Sequence, residues 1–164
     1  MPATFRILQA DITQVAVDVI VSPKGSKVSD AVLRCGGPSI GLELEQAQPT
    51  ISIIVTGPGL LQASCIFHVT VPVYGDGEHG EFQQLTPCHR ACLNLAESSG
   101  FSSIAFPSLA TGNGGFLAAE AVQIAIREIA AHCNRPANKI KQVTAALVNP
   151  ATYRIYQLLL TRCS

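Results

Sequence analysis

A short apolar strand that runs straight into a glycine-rich turn and then a helix narrows the folds open to a chain, and Ser103 to Phe116 (SIAFPSLATGNGGF) has that build. Ser103 to Phe106 reads as a buried strand ended by Pro107, which lacks the N–H that a ladder requires. Ala118 to His132 follows as a helix, with Val122, Ile126 and Ile129 at helical spacing. The turn between them holds Gly112, Gly114 and Gly115, whose backbones reach angles closed to other residues. Consecutive N–H groups can therefore converge beside the positive end of the helix, where phosphate is attracted. The other reading of these residues alone is a tight connection in which glycine only permits packing. No Lys-Ser or Lys-Thr follows Gly115, so this is not a P-loop, and Leu117 stands where the dinucleotide pattern requires its third glycine. A phosphate site here rests on backbone amides and Thr111.

The same alternation recurs along the chain. Thr4 to Ala10 is expected as a first strand, and Val15 to Val21, interrupted by Asp18, as a second that pairs with it in a hairpin-like entry. Helices are expected over Ser29 to Cys35, closed by Gly36-Gly37, and over Ser39 to Gln48, stopped by Pro49. Ile51 to Thr56 and a longer run, Ser64 to Tyr74, read as strands, and His68 in the latter as a hydrogen-bonded core histidine. Phe82 to Ser99 forms a helix with Pro87 in its first turns, ended at Gly100. Ile140 to Val148 is the last strand, Asn149 an N-cap and Pro150 the first residue of a helix to about Leu160. About six strands and five helices in alternation predict a three-layer α/β/α sandwich with a mixed, mostly parallel central sheet. Its crevice belongs at the carboxyl ends of the central strands.

At 164 residues the chain reads as one domain, able to bury a core without metal or disulfides, and as either a small whole protein or one module of a longer chain. Charged residues are only 13% and hydrophobic ones 48%, as suits a sheet covered on both faces. The net charge of zero leaves no electrostatic footprint for nucleic acid or an anionic membrane. With no run of membrane-spanning length and no signal-peptide build, an intracellular protein is expected, cytoplasmic or nuclear. None of the six cysteines has C-x-x-C spacing. Cys88, His89 and Cys92 share a helical stretch, but buried reduced thiols are the expectation there and no metal is assigned. The loop Gly75 to Gly80 (GDGEHG) is read as solvated.

The string SIAFPSLATGNGGF resembles the diphosphate-binding loop of macrodomains, the ADP-ribose-binding modules, whose usual form is SIAFPxIxTGxxGxP. It keeps the strand, the proline, Thr111-Gly112 and Gly115-Phe116, with Leu117 in place of the last proline. QADITQVAVDVIV is similar to the family's opening GDIT-x-x-x-VDAIVN, with Ala10 for glycine, and the likeness runs from about Phe5 to Leu160. It implies that Asp11 accepts a hydrogen bond from the adenine amino group, with the Ile12 backbone beside it. It further implies that Ser108, Leu109, Ala110, Thr111, Gly112, Asn113, Gly114, Gly115 and Phe116 hold the diphosphate. Val148 and Asn149 stand where the family flanks adenine, commonly with an aromatic residue or an aspartate, and Phe116 or Tyr153 is a partial replacement. Read without the resemblance, Asp11 is a strand-end aspartate bonded to its own backbone.

Ser22-Pro23-Lys24-Gly25 departs from the family's Asn-Ala-Ala-Asn type motif, and the glycine run after it is missing. In the family those elements clasp the distal ribose and, in hydrolytic members, help place the reacting water. The resemblance therefore implies a module that binds ADP-ribose, free or on proteins, with no cofactor, metal or catalytic residue and little hydrolysis. An ADP-ribosyl hydrolase and a degenerate interaction module are the alternatives. Asp18, expected within a strand, and Asp30, expected inside a helix, are not assigned to the missing wall.

Overall fold

A strand buried at every residue needs a packed layer on each of its faces, and VIVSP at Val19–Pro23 is such a strand. The computed structural model describes residues 3–47, 53–71, 81–109 and 118–163. In chain order the elements are β1 (Thr4–Leu8), a 3-10 turn (Ile12–Gln14), β2 (Val19–Pro23), α1 (Lys27–Gly36), α2 (Pro38–Gln46), β3 (Ile53–Thr56), β4 (Cys65–Val69), α3 (Glu81–Ser98), β5 (Ser103–Phe106), α4 (Ala118–Cys133), β6 (Gln142–Ala146) and α5 (Pro150–Cys163). The six strands form one sheet in the order β1-β6-β5-β2-β4-β3. All neighbours are parallel except β3, which runs antiparallel to β4 at one edge. The mixed, mostly parallel sandwich expected from the alternation is the architecture found.

Strand parity sorts the core into two layers. Val19, Val21, Phe67, Ile104 and Phe106 face α3, α4 and α5, meeting Leu85, Ile129 and Tyr156. Ile20, Ile66, Ala105 and Ala146 face the other way, against Val32 of α1 and Ile40 of α2. Gly37, with φ of 88°, joins α1 to α2 in a conformation that favours glycine, and Gly100 turns the chain after α3 with φ of 82°. Among the described residues no helix is long and apolar enough to cross a membrane.

Four expectations are corrected. The second strand begins at Val19 rather than Val15, because Val15 and Val17 are buried from an irregular segment that follows the 3-10 turn. The first two strands do not pair. β1 lies against β6 and β2 lies between β5 and β4, since a parallel sheet joins strands through crossovers rather than hairpins. Among the described residues the run from Ser64 is a strand over Cys65–Val69, and its residues 72–74 lie outside them.

Asp18, finally, precedes β2 and fastens it to β5. Its Oδ2 accepts from the Ser102 N–H (2.9 Å), the Ser102 hydroxyl (2.9 Å) and the Ser103 N–H (3.3 Å), while its own N–H donates to Ser103 Oγ (2.9 Å). The Ser102 N–H above all holds the carboxyl below its ordinary range, against the upward push of partial burial. Asp18→Ala should therefore lower unfolding stability by about 1–2 kcal/mol, the loss of charge-assisted bonds discounted for solvent. Urea midpoints for the two proteins measure this, and equal midpoints would remove Asp18 from the role.

Candidate functional site

The helices that leave β2 pack on one face of the sheet and the helix that leaves the neighbouring β5 packs on the other. A crevice opens at the carboxyl ends of two such strands, because their connections diverge. Here the strands themselves also part early, since β2 and β5 pair only at Val19↔Ile104 and Ile20↔Ala105. The Lys24 N–H donates to the Val69 carbonyl of β4, so even-numbered residues of β2 bond toward β4 and odd-numbered ones toward β5. The next donor due to the Val21 carbonyl is Pro107 N, which carries no hydrogen, and Pro23 has none to give. Two prolines thus end the ladder where the crevice begins.

Beside this split the β1–β6 ladder continues past the strand ends. Ala10 N–H donates to the Leu147 carbonyl (3.0 Å) and Leu147 N–H to the Leu8 carbonyl (2.9 Å), which sets Asp11 and Val148 side by side. Asp11 is exposed and caps the 3-10 turn, its Oδ1 accepting from the Thr13 N–H (2.9 Å) and hydroxyl (2.7 Å). No described residue bonds to Oδ2. Ile12 buries its side chain at 3% exposure and offers only its backbone, whose N–H begins the turn and has no acceptor within it. Val148 is 67% exposed and presents an aliphatic surface at the same edge. Asn149 is exposed, with Oδ1 committed to the N–H groups of Ala151 (2.8 Å) and Thr152 (3.3 Å) as the cap of α5. Tyr153 packs against the larger core layer.

After β5, Ser108 is half-buried and Leu109 is buried in the core, so Leu109 has only backbone to contribute. Ala110, Thr111, Gly112, Asn113, Gly114, Gly115 and Phe116 lie outside the described residues, as does the Gly75 to Gly80 loop. Under the end of β5, His89 of α3 stacks on Phe106 with ring centroids 5.4 Å apart. Both its ring nitrogens are buried with no hydrogen bond of good geometry, and burial pushes its pKa down to about 4 against a weaker upward pull from the Leu85 backbone.

On the β2 side, Ser22 is fully buried with its hydroxyl unpartnered, and Lys24 is half-exposed. His68, the register partner of Ser22, is a core histidine as expected, its Nε2 2.9 Å from Thr56 Oγ1. The Thr56 hydroxyl donates to the Gly57 carbonyl, so it accepts from His68 and fixes Nε2 as the protonated nitrogen. Cys65, Cys88, Cys92 and Cys133 are buried and Cys35 is half-buried, and none of these five is in a disulfide. Burial pushes the Cys65, Cys88 and Cys133 thiols up to about 11. Among the described residues no group of three His, Cys, Asp or Glu side chains can hold a metal.

Asp30 lies inside a helix, as expected, and that helix begins two residues earlier than the sequence suggested. Helix α1 starts at Lys27 behind the N-cap Ser26, whose Oγ accepts from the Ser29 N–H (3.1 Å), so Asp30 sits in the first turn and is exposed. Helical side chains lean toward the N-terminus, here toward the crevice edge. A serine three residues before another serine was the signal for the earlier start.

The Macro domain family profile matches residues 18–125, more than half of the chain. The chain belongs to the macro domain family. This macro domain is 36% identical to the O-acetyl-ADP-ribose deacetylase of Escherichia fergusonii, over 99% of this chain and 98% of that protein. It is 34% identical to the protein of the same name from Salmonella typhimurium, over 99% and 97%. The Oceanobacillus iheyensis macrodomain solved with ADP superposes with a TM-score of 0.84 at 28% identity, covering 96% of this chain and 90% of that one. The Trypanosoma brucei macrodomain solved with ADP-ribose superposes at 0.86 over 94% and 68%, and at 23% identity shows the shared fold alone.

Proposed function

We propose that this macro domain binds ADP-ribose, free or on proteins, across the carboxyl edge of β1, β6, β5 and β2. Adenine lies between Asp11 and Val148, with the Asp11 Oδ2 accepting from its amino group. The diphosphate lies over the backbone of Ser108 to Phe116 at the start of α4, and the distal ribose points toward Ser22 to Gly25. The observation that carries this reading is the adjacency of a carboxylate oxygen that no described residue uses and an exposed aliphatic residue, both beside the strand split. Calorimetric titration should give an affinity of about −6 to −8 kcal/mol, because no aromatic residue stands at Val148. No heat and no thermal protection at millimolar ADP-ribose would overturn it.

Asp11→Ala should weaken binding by about 1–3 kcal/mol through the lost adenine contact. Because Oδ1 also caps the 3-10 turn, the variant should lose about 1 kcal/mol of fold stability as well. Equal affinity for ADP-ribose in both proteins removes Asp11 from the adenine site.

A second reading is ester hydrolysis on O-acetyl-ADP-ribose, the reaction in the names of the relatives, and Asp30 favours it. A carboxylate at the crevice edge can take a proton from water as that water adds to the acetyl carbonyl, releasing acetate and ADP-ribose. Binding remains the first reading, because Ser22-Pro23-Lys24-Gly25 has no carboxamide to fix that water and a misplacement near 1 Å costs roughly a hundredfold. Release of acetate, and of ADP-ribose from mono-ADP-ribosylated protein, should fall below about a tenth of an active macrodomain's rate. Turnover above that, lost in Asp30→Ala, selects the second reading.

A further inference from the structure

α3 and α4 both start at the carboxyl edge of the sheet and run back from it, so their far halves lie at the end of the molecule opposite the crevice. There they enclose a cleft of about 360 Å³ lined by Arg90 and Leu93 of α3, Glu128, Ala131 and His132 of α4, and Arg135 just beyond it. An ion pair and a histidine–carboxylate contact bound it. Arg90 grips Glu128 with Nε–H to Oε2 (3.1 Å) and Nη2–H to Oε1 (3.2 Å), and His132 Nε2 lies 3.0 Å from Glu97 Oε1. Between these two contacts the wall is Leu93 and Ala131, and the small Ala131 leaves the gap.

The acceptors here are spent and the donors are not. The Glu128 side chain is 9% exposed and both its oxygens are engaged, while Glu97 accepts the Lys139 N–H (2.5 Å) and the Ile140 N–H (3.3 Å) in addition to His132. A guanidinium has five N–H groups. Among the described residues, Arg90, 59% exposed, gives two to Glu128, and the Arg135 guanidinium makes only a 3.5 Å contact with Asn94. Arg127 Nε also lies 3.7 Å from Glu128 Oε1, so the guanidiniums of Arg90, Arg127 and Arg135 outnumber the one satisfied carboxylate, beside an apolar wall.

We propose that this cleft is a second binding site, remote from the crevice, that takes a carboxylate carried on a short apolar stem, as in a glutamate-rich segment of a partner protein. The fork of Arg135 and the remaining N–H groups of Arg90 match the two oxygens of a carboxylate, and Leu93 with Ala131 takes the methylenes. The Arg90–Glu128 grip holds one guanidinium in place before the ligand arrives, which lowers the ordering cost of binding.

The test is amide chemical-shift titration with glutarate at constant ionic strength. Saturable shifts are expected at Leu93, Ala131 and Arg135 with a dissociation constant in the millimolar range, and tighter binding of a tetraglutamate peptide by at least about threefold. Ala131→Leu, which fills the gap, and Arg135→Gln should each weaken glutarate by about tenfold or more while leaving the crevice untouched. Both sites are exposed, and should Ala131→Leu not fold, Arg135→Gln decides alone. The proposal fails if shifts do not saturate by about 50 mM, if either folded variant binds as the wild type does, if tetraglutamate gains nothing, or if inorganic phosphate binds as tightly as glutarate.

Discussion

Lowering the pH from 6.5 to 5 should cost this protein up to about 4 kcal/mol of unfolding free energy, because two imidazoles are buried neutral and each would take up a proton on unfolding. Burial pushes His68 down to about 4, with the nearby Lys24 charge adding to it, and burial likewise pushes His89 to about 4. The folded state therefore refuses a proton that the unfolded chain binds near 6.5. Stability is complete above 6.5 and is lost as the pH falls through the window from 6.5 to 4, at about 1.4 kcal/mol per pH unit for each histidine. That is a large part of the roughly 5–15 kcal/mol that a domain possesses. Below this window Asp18 and Glu97 add to the loss. The Ser102 N–H leads in lowering Asp18. For Glu97, desolvation alone pushes up, and bonds from Lys139, His132 and Ile140 outweigh it. Urea midpoints between pH 7.5 and 4.5 read the slope directly. In His89→Leu the unpartnered nitrogens are gone, so its stability relative to wild type should rise by about 1.4 kcal/mol for each unit of acidification through the window. Identical wild-type midpoints at pH 7 and 5 would sink this account.

Gly112→Glu should reduce ADP-ribose binding by at least about 3 kcal/mol, roughly a hundredfold, the largest single change expected at the crevice. The substitution brings a carboxylate on two methylenes, about five heavy atoms in all, into the segment proposed to offer bare backbone amides to a diphosphate, and like charges repel there with little water between them. Lys24→Ala should change the affinity far less, since the proposed diphosphate cradle is built from backbone amides. Calorimetry on both variants, with urea midpoints to show that they are folded, separates a lost site from a lost fold. A folded Gly112→Glu protein that binds as well as wild type would place the ligand elsewhere.

Local signals in the sequence were enough for the elements with strong boundaries. Ser103 to Phe106 ends where Pro107 denies the ladder a hydrogen, and Asn149-Pro150 starts α5 because an amide cap and a preset φ act within four residues. The alternation of short apolar runs with helical ones likewise determined a covered, mostly parallel sheet, and the macrodomain resemblance named the family to which the chain belongs. What the sequence could not determine is anything fixed by partners far along the chain. Val15 and Val17 read as strand by composition, yet they are buried in the core layer that also holds Ile66 and Ala105, without a ladder. Asp18 looked like an interruption in a strand and is a fastener only because Ser102 lies opposite it, 84 residues away. The β2–β5 ladder stops short of Pro23 and Pro107, and neither proline alone reveals the split, because it exists only once β2 and β5 are neighbours in register. Tertiary contact decided these points because backbone bonds in a parallel sheet, and charges brought together by crossovers, join residues that no local pattern relates.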